Sequence, residues 1–169
     1  ERRRLLEAPR PPRRLEIIGD SRSRERPPLD DVVRAIDRRE RPIYAVWEIT
    51  LACDLACRHC GSRAGRARPD ELSTDEALDL VRQMQALGVR EVALIGGEVY
   101  LYEGWADVVR EIRRVGMTST MVTGGRGMTP ERARIAFDAG VQSVAVSIDG
   151  SEASHDRLRG VRGSYASAI

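Results

Sequence analysis

Four apolar runs alternate with segments of helical periodicity from residue 43 to the end of the chain. The runs span residues 43–50, 89–95, 117–123 and 141–148. Each is short and rich in Val, Ile or Thr, which predicts a β-strand. The first run is apolar on both alternating faces except near its end, which is typical of a strand covered on both sides of a parallel sheet.

Between the runs, apolar residues recur at the spacing of one helix face. The first helical segment begins with a capping box at Ser73 and ends at Gly88. The second spans residues 105–115, and the third spans residues 129–140 with a threonine cap followed by proline. Residues 163–169 are predicted to begin a further helix.

Regular alternation of strands and helices predicts an α/β fold with a parallel sheet. In such folds, ligands bind at the carboxyl ends of the strands, which meet at one edge. We therefore expect a site at this edge. Glu48, near the end of the first strand, either lines that site or pairs with neighbouring arginines.

The composition is that of a globular domain, with 169 residues, 41% hydrophobic and 32% charged. A net charge of +2 does not indicate nucleic-acid binding, and no apolar run is long enough to span a membrane. Residues 1–41 form a basic, Arg- and Pro-rich N-terminal extension, with a short helix expected at 30–39. This extension is either a solvated tail or an arm that contacts an acidic partner.

The chain has three cysteines, Cys53, Cys57 and Cys60, in the pattern C-x3-C-x2-C directly after the first predicted strand. An odd, clustered set does not suit a disulfide framework. Thiolates on one short loop suit a metal centre in a reducing compartment, for which we expect the cytoplasm. Three sulfurs leave one iron of a four-iron cubane without a protein ligand, and a small molecule can bind at that open position.

The cysteine pattern, together with two further motifs, resembles that of the radical S-adenosylmethionine (radical SAM) enzymes. The further motifs are Gly96-Gly97-Glu98 after the second predicted strand and Ser147-Ile148-Asp149 after the fourth. The resemblance implies a [4Fe-4S] cluster on the three cysteines, with SAM on the fourth iron. It also implies that residues 42–169 are the N-terminal part of a partial (β/α) barrel, truncated after about four βα units.

The resemblance assigns the ends of the second and third strands to SAM. Glu98 is similar to the family's glutamate that accepts hydrogen bonds from the SAM amine. Gly96 and Gly97 let the main chain approach a ligand closely. Thr123 is expected to support the same ligand.

The end of the fourth strand and the residues after it are assigned to the rest of SAM. Ser147 and Asp149 are expected to bond the ribose hydroxyls, as the family uses this strand end. Arg159 is expected either to pair with the methionyl carboxylate as a bidentate fork or to form a surface salt bridge. No separate catalytic residue is predicted beyond the cluster and SAM site.

The activity that the resemblance implies is reductive cleavage of SAM to a 5′-deoxyadenosyl radical, which abstracts hydrogen from a substrate. The implied electron donor is a reductant protein of the flavodoxin or ferredoxin type. The motifs resemble most the branch that modifies ribosomal peptides or makes peptide-derived cofactors, often with a C-terminal SPASM domain, so a peptide is the expected substrate. Haem-precursor and sugar-nucleotide enzymes of the same family are alternatives.

Three positions depart from the family pattern, namely His59 before the last cysteine, Val99 after the Gly-Gly-Glu motif and Gly124 after the third strand. They keep open a second hypothesis, a catalytically inert iron–sulfur scaffold of the same fold. A third hypothesis is a structural zinc module, with His59 as the fourth ligand beside the three cysteines.

Overall fold

The computed structural model describes residues 42–169, so the predicted extension at 1–41 and its short helix lie outside the described residues. Within the described range, strands and helices alternate. The strands are β1 Tyr44–Thr50, β2 Glu91–Gly96, β3 Thr118–Thr123 and β4 Ser143–Val146. The helices are α1 Thr74–Leu87, α2 Trp105–Arg114, α3 Pro130–Ala139, α4 Glu152–Arg159 and α5 Ser164–Ala168, with a 3-10 turn Val99–Leu101 after β2.

The four strands form one parallel sheet in the order β1-β2-β3-β4. Because crossovers between parallel strands are right-handed, a steady progression in one direction places every connecting helix on the same face. Leu94 of β2 and Met121 of β3 accordingly share one buried core with residues of α1, α2 and α3. This is the winding of a barrel, because a doubly wound sheet reverses its strand order. The predicted partial-barrel α/β fold is confirmed.

The face of the sheet opposite the helices lines a candidate site. Ile95 and Val122 are the sequence neighbours of Leu94 and Met121, and they line a cavity at the carboxyl edge of the sheet. Successive side chains of a strand point to opposite faces, so the same two strands serve the core and the cavity at once. None of the helices in residues 42–169 is long and apolar enough to cross a bilayer.

The predicted caps set the ends of the connecting helices. The Ser73 hydroxyl accepts a hydrogen bond from the Glu76 N–H at 3.4 Å, and the Ser73 N–H donates to the Glu76 carboxylate at 2.8 Å. Gly88 ends α1 in the left-handed conformation, with φ of 98°. Thr129 caps α3 as predicted, because its hydroxyl accepts a hydrogen bond from the Arg132 N–H at 3.2 Å.

All four strands begin later than their hydrophobic patterns predict, β1 and β3 by one residue and β2 and β4 by two. β2 begins at Glu91 because the Val89 N–H still bonds the carbonyl of Met84 in α1, at 3.1 Å. β4 begins at Ser143 because the Val141 N–H bonds back into α3 in the same manner. The residue after a glycine cap completes the helix ending, so the first apolar residues of these runs belong to the preceding turn.

Candidate functional site

The carboxyl edge of the sheet gathers the predicted residues around one cavity. Cys53 follows β1, Gly96 ends β2, Thr123 ends β3 and Ser147 follows β4. Nine of the ten predicted site residues line this cavity: Cys53, Cys57, Cys60, Gly96, Gly97, Glu98, Thr123, Ser147 and Arg159. Asp149 does not line the cavity, but its carboxylate contacts Arg159, which does.

The two glycines at the end of β2 bring that strand close to the cysteine loop. The Gly97 N–H donates to the carbonyl of Thr50 at 2.7 Å. A Cβ on Gly97 would lie 2.2 Å from the carbonyl oxygen of Ala52, and one on Gly96, with φ of 153°, would lie 2.4 Å from that of Thr50. The glycines are therefore needed for contact between two segments of the chain, a structural function that the sequence prediction did not include.

Each of the three cysteine sulfurs accepts a hydrogen bond from a nitrogen donor. The pairs are Leu55 N–H to Cys53 Sγ at 3.5 Å, Ala64 N–H to Cys60 Sγ at 3.3 Å and Arg159 Nη1 to Cys57 Sγ at 3.7 Å. All three cysteines are free and partly exposed. Burial is the main cause that raises the pKa of Cys53. Donors to sulfur stabilise thiolates and orient metal ligands, so this set fits an iron–sulfur cluster.

A cluster and a single ion require different arrangements of ligands. Among residues 42–169, no group of three His, Cys, Asp or Glu side chains converges on one metal-ion position. A cubane does not require such convergence, because each thiolate binds a different iron.

Glu98 is a buried carboxylate that faces the cavity with one unpaired oxygen. Its Oε2 accepts the Gly124 N–H at 2.8 Å, whereas its Oε1 is buried and has no partner among the described residues. Burial raises the pKa of Glu98 to about 7, although the hydrogen bond from the Gly124 N–H acts in the opposite direction. A buried acceptor without a donor is costly, and an ammonium group can remove that cost. The unpaired oxygen therefore fits the amine of SAM.

Thr123 is buried, and its hydroxyl serves the turn that follows β3. It accepts the N–H of Gly125 at 3.0 Å, and this turn also presents the Gly124 N–H to Glu98. The position of Gly124 is tight, since a Cβ there would lie 2.4 Å from Cδ1 of Leu55. Gly124, a departure from the family pattern, thus accommodates Leu55 of the cysteine loop.

Arg159 and Asp149 form a largely buried ion pair beside the cavity. Arg159 Nε lies 2.7 Å from Asp149 Oδ2, and Nη2 lies 3.2 Å from Oδ1. The side chains are 12% and 20% exposed, so this pair is not the surface salt bridge considered from the sequence. His59 Nε2 lies 3.5 Å from the same carboxylate. Ser147 lines the cavity, and its N–H donates to the carbonyl of Thr123 at 3.0 Å.

Glu48 does not line the cavity, because its carboxylate accepts hydrogen bonds from Arg68 and Ser62. Of the two interpretations left open for it, the structure shows pairing with an arginine.

Sequence reasoning missed a hydrogen-bonded link behind the cysteine loop. The Tyr100 hydroxyl donates to Asp54 Oδ2 at 2.9 Å and accepts the Gly127 N–H at 2.8 Å. This link connects the cysteine loop to the segments that follow β2 and β3. Asp54 lies between two cysteines and Tyr100 lies two residues after Glu98, but only their proximity to those motifs could have indicated a role.

The three cysteines of the loop after β1 and the buried carboxylate of Glu98 line one cavity at the carboxyl edge of a partial barrel, and this arrangement fits the class of proteins that hold a metal cluster there. The chain belongs to the Radical SAM superfamily, whose family model matches residues 47–169. Members of this family use a [4Fe-4S] cluster and S-adenosylmethionine.

Comparison with known proteins agrees with this assignment. The chain is 30% identical over 128 residues to the sporulation killing factor maturation protein SkfB of Bacillus subtilis (strain 168), with 76% of this chain and 31% of SkfB covered. It is 34% identical over 125 residues to the AdoMet-dependent heme synthase of Nitratidesulfovibrio vulgaris, with 73% and 34% covered. The chain therefore spans about a third of the length of these relatives.

A solved structure shows the same fold. The crystal structure of Streptococcus suis SuiB bound to S-adenosylmethionine superposes with a TM-score of 0.65 at 20% sequence identity. The match covers 77% of this chain and 31% of SuiB.

Proposed function

We propose that the protein is a radical SAM enzyme that cleaves SAM reductively to a 5′-deoxyadenosyl radical, which abstracts hydrogen from a substrate. The observation that carries this proposal is one cavity lined by Cys53, Cys57, Cys60 and Glu98 at the carboxyl edge of the sheet. Free cysteines suit a reducing compartment, so we place the enzyme in the cytoplasm. A reductant protein of the flavodoxin or ferredoxin type is the proposed electron donor.

The residues of the cavity have distinct proposed functions. The three cysteines hold the cluster, which supplies the electron for cleavage of the bound SAM. Glu98 Oε1 accepts hydrogen bonds from the SAM amine, since it is buried and lacks a partner in residues 42–169. Ser147, on the cavity wall, binds the ribose. The predicted contacts of Asp149 with the ribose and of Arg159 with the methionyl carboxylate stay predictions, because these two side chains bind each other.

The proposed substrate is a peptide. The name of SkfB describes the maturation of a killing factor, and this favours the peptide-modifying branch expected from the motifs. A haem precursor is the second candidate, because a relative of similar identity is named as a heme synthase. Mass spectrometry of each candidate after turnover, with a change of mass expected only in the true substrate, separates the two.

The activity can be tested by anaerobic reconstitution of the whole protein with iron and sulfide, followed by SAM and dithionite. A brown protein that forms 5′-deoxyadenosine is the expected result. Cys57→Ala should abolish this product, whereas Arg66→Gln, an exposed change on the same loop, should not. A colourless protein that retains zinc would support the zinc module, and a brown protein without product would support the inert scaffold.

A further inference from the structure

The last turn of α4 packs directly on the backbone around Cys57. The Ala56 N–H donates to the carbonyl of Arg159 at 3.0 Å, and the Arg58 N–H donates to that of Leu158 at 2.8 Å. The residues on both sides of Cys57 are therefore bonded to the carboxyl end of one helix. Backbone bonds of this kind fix the distance between α4 and the cysteine loop.

Gly160 makes this contact possible. It ends α4 with φ of 69°, in the left-handed region, and a Cβ on it would lie 2.5 Å from the carbonyl oxygen of Ala56. Both the conformation and the space favour glycine at this position. The place of Arg159 relative to the loop is thus set by the main chain and does not depend on side-chain contacts alone.

Asp149 orients the guanidinium of Arg159. Its Oδ1 accepts a hydrogen bond from Nη2 at 3.2 Å, and its Oδ2 lies 2.7 Å from Nε as an ion-pair contact, while Nη1 donates to Cys57 Sγ at 3.7 Å. The Asp149 main chain is itself held, since its N–H donates to Nδ1 of the buried His155 at 3.2 Å. Because a guanidinium group is planar, holding two of its nitrogens next to a carboxylate fixes the direction in which the third nitrogen points.

The donor at Cys57 differs in charge from the donors at the other two sulfurs. Cys53 and Cys60 accept from uncharged main-chain N–H groups, whereas Cys57 accepts from a guanidinium. Reduction adds one electron to a cluster and increases the negative charge on its thiolates. A cationic donor therefore stabilises the reduced state more than the oxidised state, and hydrogen bonds to the sulfurs are among the features that set cluster potentials.

We propose that Arg159 is a positioning residue for the cluster, which donates to the Cys57 thiolate and raises the reduction potential of the cluster. This gives Arg159 a partner other than the methionyl carboxylate expected from the sequence. The inference rests on the proposed function, since it requires a cluster on the three cysteines.

The test is a redox titration of the whole reconstituted protein without SAM, followed by the electron paramagnetic resonance signal of the reduced cluster. Arg159→Gln should lower the ratio of reduced to oxidised cluster about tenfold at a given solution potential. A tenfold change corresponds to a free energy on the order of that of one charge-assisted hydrogen bond. For a one-electron couple this is about 59 mV. Arg157→Gln, an exposed arginine on the same helix, is the matched control and should leave the potential unchanged.

A second variant separates the hydrogen bond from the charge of Asp149, which Arg159→Gln leaves unpaired beside the cluster. The double variant Asp149→Asn, Arg159→Gln removes both charges. A potential that stays low in the double variant supports donation to Cys57. A return to the wild-type potential would show that the unpaired carboxylate caused the shift, and it would overturn the inference.

Further outcomes distinguish this inference from the proposed function. If the wild type takes up no cluster, both are refuted. If the wild type and Arg159→Gln carry equal iron and sulfide and titrate at the same potential, the inference alone is refuted. If Arg159→Gln fails to retain a cluster, the double variant Asp149→Asn, Arg159→Leu provides the measurement, because it removes the cationic donor and leaves neither charge of the pair behind. A lower potential in this variant supports the inference, and a wild-type potential refutes it.

Discussion

Glu98→Gln should change how the stability of the SAM-free, cluster-free protein depends on pH. Burial raises the pKa of Glu98 from 4.5 to about 7, and each unit of difference between the folded and unfolded states corresponds to about 1.4 kcal/mol. The neutral form is favoured in the folded state, so the contribution to stability is present below pH 4.5. It is lost as the pH rises towards 7, a total of about 3 kcal/mol.

Glutamine removes this titration but keeps a carbonyl oxygen that can accept the Gly124 N–H. The free energy of unfolding of Glu98→Gln minus that of the wild type should therefore increase by about 3 kcal/mol between pH 4.5 and 7, and then stay constant. Urea denaturation at half-unit intervals of pH measures this difference. Glu103→Gln, at an exposed position, is the control and should give a flat curve.

A flat curve for Glu98→Gln would refute the assignment of a buried, destabilised carboxylate. The same reasoning predicts how the reconstituted protein binds SAM. Affinity should rise as the pH rises, because in the proposed function the ionised form of Glu98 pairs with the ammonium group of SAM and burial raises the pKa of Glu98. Equilibrium binding at several pH values should show that this dependence is lost in Glu98→Gln.

Three further substitutions test two close contacts beside the cavity and one helix cap. Gly97→Ala should reduce cluster content severalfold, measured as iron and sulfide per chain, because its Cβ would lie 2.2 Å from the carbonyl oxygen of Ala52; wild-type content would contradict the tight contact. Gly124→Ala should destabilise the protein by about 1–3 kcal/mol through its clash with Leu55, and the same substitution should cost less in a Leu55→Ala chain, which urea denaturation of the four chains measures; an equal cost in both backgrounds would contradict the clash. Ser73→Ala should cost about 1 kcal/mol through loss of the cap, with no change in SAM affinity; an unchanged midpoint of urea denaturation would contradict the capping role.

Local signals in the sequence were sufficient for much of the fold. The capping box at Ser73 and the glycine at Gly88 set the ends of α1, since these interactions span only a few residues. Alternation of strands and helices then placed Cys53, Glu98 and Ser147 at one edge, because parallel strands share their carboxyl ends.

Other features depend on distances that no local pattern encodes. Helix α4 was not predicted, because Leu158 is its only large apolar residue and its helical face is therefore weak. The partner of Arg159 was uncertain for the same reason, since its proximity to Asp149 and Cys57 depends on how α4 packs. The unpaired Oε1 of Glu98 also requires three-dimensional coordinates, because burial at one strand end depends on its neighbours.

The contact between α4 and the cysteine loop has a consequence for biosynthesis. Cys57 and Arg159 are 102 residues apart in the chain, yet they meet at one sulfur. Long-range contacts of this kind close late, because their loop entropy must be overcome before they stabilise anything. As the ribosome releases the chain, the sulfurs of Cys53 and Cys60 acquire their main-chain donors from within their own loop. The sulfur of Cys57 acquires its donor, Arg159, only after the fourth βα unit has been synthesised. The three cysteines should therefore retain a cluster best after that unit has left the ribosome and folded.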